Sequence, residues 1–119
     1  MDCIFCKIIK GDIPSYTIYE NEYVKCFLDV NPNSMGHTLI IPKKHFKDIY
    51  DIDNEYLNEI NKASKEVIKI LDEKLKPNGY KLVQNNGILQ EVKHYHLHII
   101  PSYNKKNNID VSDVFNMIK

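Results

Sequence analysis

The sequence predicts an α+β domain, an antiparallel sheet of about five strands with one long helix and short helices at the two ends. Three observations predict it. Short segments rich in β-branched and aromatic residues are separated by hairpin-length connections, which favour antiparallel pairing. A single segment carries a sustained helical period of apolar residues. The 119 residues, 43% hydrophobic and 27% charged, make one domain over 1–119, with room for a real core but not for two.

The elements follow in order. "CIFCKII" reads as a short helix or turn, ended by Gly11 and Pro14. "TIYENEYVKCFLD" reads as two strands joined by a tight turn at Glu20-Asn21-Glu22. "VNPNSMG" is a loop by its Asn, Pro and Gly content, and "HTLIIP" a buried strand opened by His37 and stopped by Pro42. Leu57, Ile60, Val67, Ile68, Leu71 and Leu75 then share one helical face. Asp53 is the expected N-cap, and Pro77-Asn78-Gly79 the expected stop. "YKLVQ" is a strand, "NNGILQEVK" a loop, and "HYHLHIIP" the last strand. The tail "IDVSDVFNMIK" closes with a helix carrying Val111, Val114, Phe115 and Ile118. The chain holds no internal repeat.

Formal net charge is zero, so neither nucleic acid nor an anionic membrane is the expected main partner. The first residues lack the apolar stretch of a secretion signal, and no apolar run approaches membrane-spanning length. The expectation is a cytoplasmic protein. Three cysteines without a secretion signal argue against a disulfide framework.

The last strand raises the functional question. With period 2, His94, His96 and His98 share one face, while Tyr95, Leu97 and Ile99 share the apolar other. Three readings are open. All three rings can ligate a metal, although side chains two apart stand roughly 6–7 Å from each other and three in a row would need strong bending. A neutral imidazole can attack phosphorus, its other nitrogen held as N–H by a carbonyl. Or the face is merely exposed. The preceding loop offers Asn85, Asn86, Gly87 and Gln90, groups able to aim N–H donors at phosphate but equally usual in a plain turn.

Cys3-x-x-Cys6 stands too near the start for a thioredoxin-like strand–turn–helix context. With His45 and His94 it makes a chemically reasonable Cys2His2 zinc set that would staple the N-terminus to the sheet. Two thiols simply packed near a terminus are the alternative. Cys26, mid-strand, reads as a small buried hydrophobe. His37 alone reads as a structural histidine, and Asp29 as a turn residue or a ligand for a sugar hydroxyl pair.

"CIFCKIIKGDIPS", "FLDVNPNSMGHTLIIPKKH", "NNG" and "QEVKHYHLHIIP", in this order, resemble the histidine-triad (HIT) family over about Cys3 to Tyr103. The similarity is to its small one-domain phosphoramidases and nucleotide hydrolases that carry an N-terminal Cys-x-x-Cys. The resemblance implies a HIT-like fold and hydrolysis of purine nucleoside 5′-phosphoramidates or related adducts at the α-phosphorus. His96 would be the nucleophile forming a nucleotidyl-imidazole, with His98 on the phosphate and His37 orienting the nucleophile. Asn85 would bind the nucleotide near the phosphate, Gln90 would join the nucleotide-binding set where it opens the segment leading into the triad, and Asp29 would bind the ribose. Phe27, Val30, Ile4, Ile8 and Ile13 would surround the purine. Structural zinc would sit on Cys3, Cys6, His45 and His94, and the chain would form a homodimer.

Three positions depart from the pattern. The loop between "NNG" and Gln90 is shorter than usual in the family. Glu91 stands where many members have Ser or Thr, and Ser102 where Arg is frequent. Beside the enzyme, two other readings follow: a purine-nucleotide-binding or regulatory module without turnover, and a zinc hydrolase using the histidines directly.

Overall fold

The computed structural model describes residues 3–105 and 108–119. The elements run α1 (Ile4–Lys10), β1 (Thr17–Glu20), β2 (Val24–Leu28), β3 (Thr38–Pro42), α2 (Asn54–Lys74), β4 (Gly79–Val83), a 3-10 turn (Gly87–Leu89), β5 (Leu97–Ser102) and α3 (Val111–Ile118). The strands form one sheet in the order β1-β2-β3-β5-β4, every neighbouring pair antiparallel. The α+β expectation therefore holds, with the long helix inserted after the third strand.

Period-2 alternation divides the sheet into two unlike faces. Val24, Cys26 and Leu28 of β2, Ile40 of β3, and Leu97 and Ile99 of β5 pack against α2 and α3 in the main core. Ile60, Val67 and Leu71 of α2 are fully buried there, each worth about 1.5–3 kcal/mol relative to exposure. Leu57 and Ile68, expected on the same stripe, are only partly buried at its margins. On the opposite face Phe27, Leu39 and Ile41 pack against Phe5 and Ile8 of α1. His98 lies on that second face, in register with Leu39 and, one strand on, Phe27.

Local chemistry explains the boundaries. Asn21 Oδ1 accepts the N–H groups of Tyr23 at 2.8 Å and Val24 at 3.0 Å, which closes the β1–β2 turn. Asp53 caps α2 through the Tyr56 N–H at 2.8 Å. Gly11, at φ +87°, ends α1 in the left-handed conformation that glycine adopts freely.

Four expected boundaries are corrected. "HYHLHIIP" is not one strand: β5 begins at Leu97, and His94 and His96 precede it. The β3–β5 ladder ends at Ile40–Leu97, and Pro42 has no N–H with which to extend it. The freed backbone finds another partner, Tyr95 N–H donating to Phe46 O at 2.7 Å. Helix α2 ends at Lys74, before Pro77. The residue before a proline is disfavoured in the helical region, and Lys76 takes φ +51° instead. Gly79, expected in the stop, opens β4 and pairs with Ser102. His37 lies just outside β3, which begins at Thr38.

Candidate functional site

The N-terminus supplies the first cluster. Cys3 caps α1, accepting the Cys6 N–H on its sulfur at 3.4 Å, so both thiols sit at one end of a short helix. Cys3 Sγ lies 3.4 Å from His94 Nδ1, and Cys6 Sγ lies 3.3 Å from His45 Nδ1 and 3.6 Å from His94 Nδ1. The two Nδ1 atoms are 3.1 Å apart. A tetrahedral zinc, with bonds of about 2.0–2.1 Å to nitrogen and 2.3 Å to sulfur, sets edges of about 3.3 Å between nitrogens and about 3.6 Å between sulfur and nitrogen. The donor set fits that geometry.

His94 is also in the right protonation state. Its Nε2 lies 2.9 Å from Pro42 O. A carbonyl only accepts, so the proton is on Nε2 and Nδ1 presents a lone pair to the cluster. Burial pushes its pKa down to about 4, with the neighbouring His45 and His96 adding to the effect and the Pro42 carbonyl opposing it. These four residues could hold a metal ion.

The second cluster is wired by the same logic. His37 Nδ1 accepts the Asn33 N–H at 3.0 Å, so its proton is on Nε2. That N–H faces His98 Nδ1 at 2.9 Å and, more distantly, Asp29 Oδ2 at 3.7 Å. His98 must then accept on Nδ1 and carry its own proton on Nε2. His96 Nδ1 donates to His94 O at 2.8 Å, which leaves Nε2 of His96 bare.

Burial lowers the pKa of His37, against the charge of Asp29. It also lowers His96, opposed by the His94 carbonyl and by the charges of Asp29 and Glu91. His98 is pushed down to about 4 by burial, then by its two histidine neighbours. The site therefore pairs a neutral imidazole nitrogen, free to attack, with a ring N–H free to donate. Asp29, His37 and His98 also bring their polar atoms within 4.8 Å of one another. The Asn33 N–H on Nδ1 puts the His37 proton on Nε2, so that nitrogen points a proton, not a lone pair, into this group.

Backbone features position these rings. Gly36 takes φ +86°, and a Cβ there would lie 2.7 Å from Leu75 Cδ1, so only glycine lets the turn bring His37 over the sheet while packing on the end of α2. Phe5, between the two cysteines, stands edge-on to His94 at 5.8 Å and to His96 at 5.0 Å between ring centroids. It joins the cysteine cluster to the second one.

A cleft of about 460 Å³ opens over His37, His96 and His98. Ile4, Phe27, Asp29, Val30 and Asn85 line it, as do Phe5, Asn33 and Glu91. Asp29 is a turn residue as well, Oδ1 accepting the Asn31 N–H at 2.8 Å. Ile8, Ile13 and Gln90 do not line the cleft. Ile8 is buried under α1 with Ile13 partly buried beside it, and Gln90 is buried with its side-chain N–H donated to Lys47 O. Phe5 and Asn33 were not singled out from sequence. Phe5 was legible as the apolar residue inside Cys-x-x-Cys, whereas Asn33 contributes a backbone N–H that carries no side-chain signal.

A family model described as the HIT domain matches residues 10–105. The adenosine 5′-monophosphoramidase HNT1 of Saccharomyces cerevisiae is 42% identical over 111 residues, covering 92% of this chain and 68% of that one. A zinc-bound histidine triad family protein from Mycobacterium smegmatis superposes with a TM-score of 0.90 at 32% identity, covering 99% of this chain and 91% of that one. A hypothetical histidine triad nucleotide-binding protein from Sulfolobus tokodaii superposes with a TM-score of 0.89 at 32% identity, over 98% and 89% of the two chains.

Proposed function

The chain belongs to the HIT family, and on that premise we propose that it hydrolyses purine nucleoside 5′-phosphoramidates or related nucleotide adducts through a nucleotidyl-histidine on His96. One observation carries the reading: the His94 carbonyl holds the proton on His96 Nδ1, which leaves Nε2 of this cleft-lining residue as the neutral nitrogen able to act as a nucleophile. Nε2 attacks the α-phosphorus and the P–N bond breaks, the departing amine leaving with the electron pair and taking up a proton from solvent water, which the hydrolytic water returns in the second step. Water then attacks the same phosphorus, the P–Nε2 bond breaks, and the nucleoside monophosphate departs with His96 neutral again. Splitting the displacement in two replaces one difficult step with two easier ones.

The other residues divide the remaining work. His98 Nε2–H donates to a phosphate oxygen where negative charge builds, a donor already oriented by the His37 N–H on its Nδ1. Asn85 at the cleft wall serves the phosphate as well. Asp29, with Oδ1 held by the Asn31 N–H, presents Oδ2 toward the ribose hydroxyls. Ile4, Phe27 and Val30 form the apolar wall for the base. Ile8 and Ile13 support that wall from beneath, and Gln90 holds the loop before the triad through Lys47. Zinc on Cys3, Cys6, His45 and His94 would cross-link α1 to the segment that carries His96. A second copy of the chain is the partner we infer, with edge strand β4 and its exposed Leu82 as the pairing surface.

The test is single-turnover release of AMP from adenosine 5′-phosphoramidate by wild type and by His96→Ala. Loss of at least about a thousandfold is expected, since the covalent route disappears with the nucleophile. Equal rates would overturn the assignment. AMP binding without turnover in either protein would favour a nucleotide-binding module.

A further inference from the structure

The cleft over the histidines is lined by two carboxylates, Asp29 and Glu91, and by no lysine or arginine among the described residues. A phosphate entering it meets neutral donors and a fixed negative charge. Each further negative charge on the substrate is disfavoured by Coulomb repulsion, and a positive charge near either carboxylate is favoured. Asp29 is engaged, with Asn31 on one oxygen and His37 near the other. Glu91 is not: none of the ion pairs among the described residues involves it. Its neighbour Lys93 gives its ammonium to the carbonyls of Gly87 at 3.2 Å and Gln90 at 3.1 Å instead.

The register places these two carboxylates at opposite ends of the sheet. Leu28 pairs with Thr38 and Thr38 with Ile99, so the β2–β3 connection holding Asp29 leaves one end. The β4–β5 connection holding Glu91 leaves the other, after Val83 and before Leu97. His96 and His98 lie between. With the sugar at Asp29 and the phosphorus at His96, Glu91 is the cleft carboxylate left to meet the remaining substituent. There Leu89 and Val92 line the cleft beside the carboxylate, and Leu89 is largely exposed.

We propose that Glu91 is a specificity-determining residue for the leaving group, its carboxylate and the apolar Leu89 and Val92 selecting phosphoramidates whose departing amine carries a second, protonated nitrogen on a short alkyl stem. This rests on the phosphoramidase reading above. The alkyl stem lies along Leu89 and Val92, and the ammonium pairs with Glu91. Glu91 takes no part in bond breaking; it discriminates between leaving groups by charge.

The experiment compares adenosine 5′-phosphoramidates made from diaminobutane, butylamine and aminobutanoate, which place a cation, no charge or an anion at the same end. The readout is the ratio of kcat/KM between substrates on one enzyme, so a change in overall activity cancels. Wild type is expected to favour the cationic over the neutral substrate about fivefold at low salt, the upper range for a solvent-exposed ion pair, with the anionic substrate last. Added salt erodes the preference. Glu91→Gln brings the ratio to about one, and Glu91→Lys inverts it, as loss and reversal of one surface charge require. Equal rates on all three substrates in wild type, or a preference that survives Glu91→Gln, overturn the Glu91 assignment and leave the phosphoramidase reading standing. No turnover of any of the three, or turnover undiminished in His96→Ala, overturns both.

Discussion

An imidazole has two nitrogens, and what it can do depends on which one carries the proton. Here each decision comes from a backbone atom: Pro42 O for His94, His94 O for His96, and Asn33 N–H for His37 and through it His98. One motif of alternating histidines thus contains a ring with Nδ1 free, a ring with Nε2 free and a ring with an Nε2 donor. Their burial has a consequence for stability. His98 sits near 6.5 when unfolded and is pushed down to about 4 in the folded chain by burial. Between those values the unfolded chain binds more protons, so the stability tied to neutral His98 is complete above about pH 6.5 and is lost as pH falls toward 4. The urea midpoint is expected to drop between about pH 7 and pH 4.5, and His98→Asn is expected to flatten that drop. Parallel curves for the two proteins would show that His98 does not contribute to it.

At the scale of elements, α1 is the least self-sufficient. It has seven residues, far below the length at which an isolated helix is stable in water. Phe5 and Ile8 anchor it on Phe27, Leu39 and Ile41, and Gly11 ends it cleanly. Its N-terminal thiols reach His45, between β3 and α2, and His94, before β5, so a metal there would tie three segments distant in sequence. We expect metal analysis to give one zinc per chain, and chelation to lower the Tm by at least about 5 °C, which at this size corresponds to roughly 1 kcal/mol or more. Cys6→Ser should lose the zinc and lower the Tm by a similar amount. An unchanged Tm and no bound zinc would leave Cys3 and Cys6 as packing residues. The Gly36 turn acts on the other side of the site. Its positive φ and its approach to Leu75 couple the position of His37 to the end of α2.

At the scale of the whole molecule, the sheet closes one face under α2 and α3 and leaves the other to α1 and the cleft. Among the described residues no strand lies beyond β4 at this edge of the sheet, and Leu82 on it is 47% exposed. Light scattering is expected to give twice the chain mass, and Leu82→Lys to shift the protein toward the monomer, since a charge on an edge opposes pairing. A monomeric wild type would exclude this surface as a dimer contact. Of this architecture, the sequence by itself determined the element types, because the 3.6-residue stripe of α2 and the period-2 alternation of β2 and β5 are local consequences of backbone geometry. It also determined which residue types bring the chemistry, whereas the choice of helix over turn for "CIFCKII" rests on the packing of Phe5 and Ile8 and on the Cys3 cap. Only the tertiary structure decided where the histidine run leaves the strand, because the carbonyl that takes the His94 ring belongs to Pro42, 52 residues earlier. The same holds for the placement of Ile8 and Gln90 away from the cleft and of Glu91 at its unpaired end. Spacing along a chain fixes which side chains can share a face. Which atom carries a proton or meets a charge is set by groups that folding brings from elsewhere.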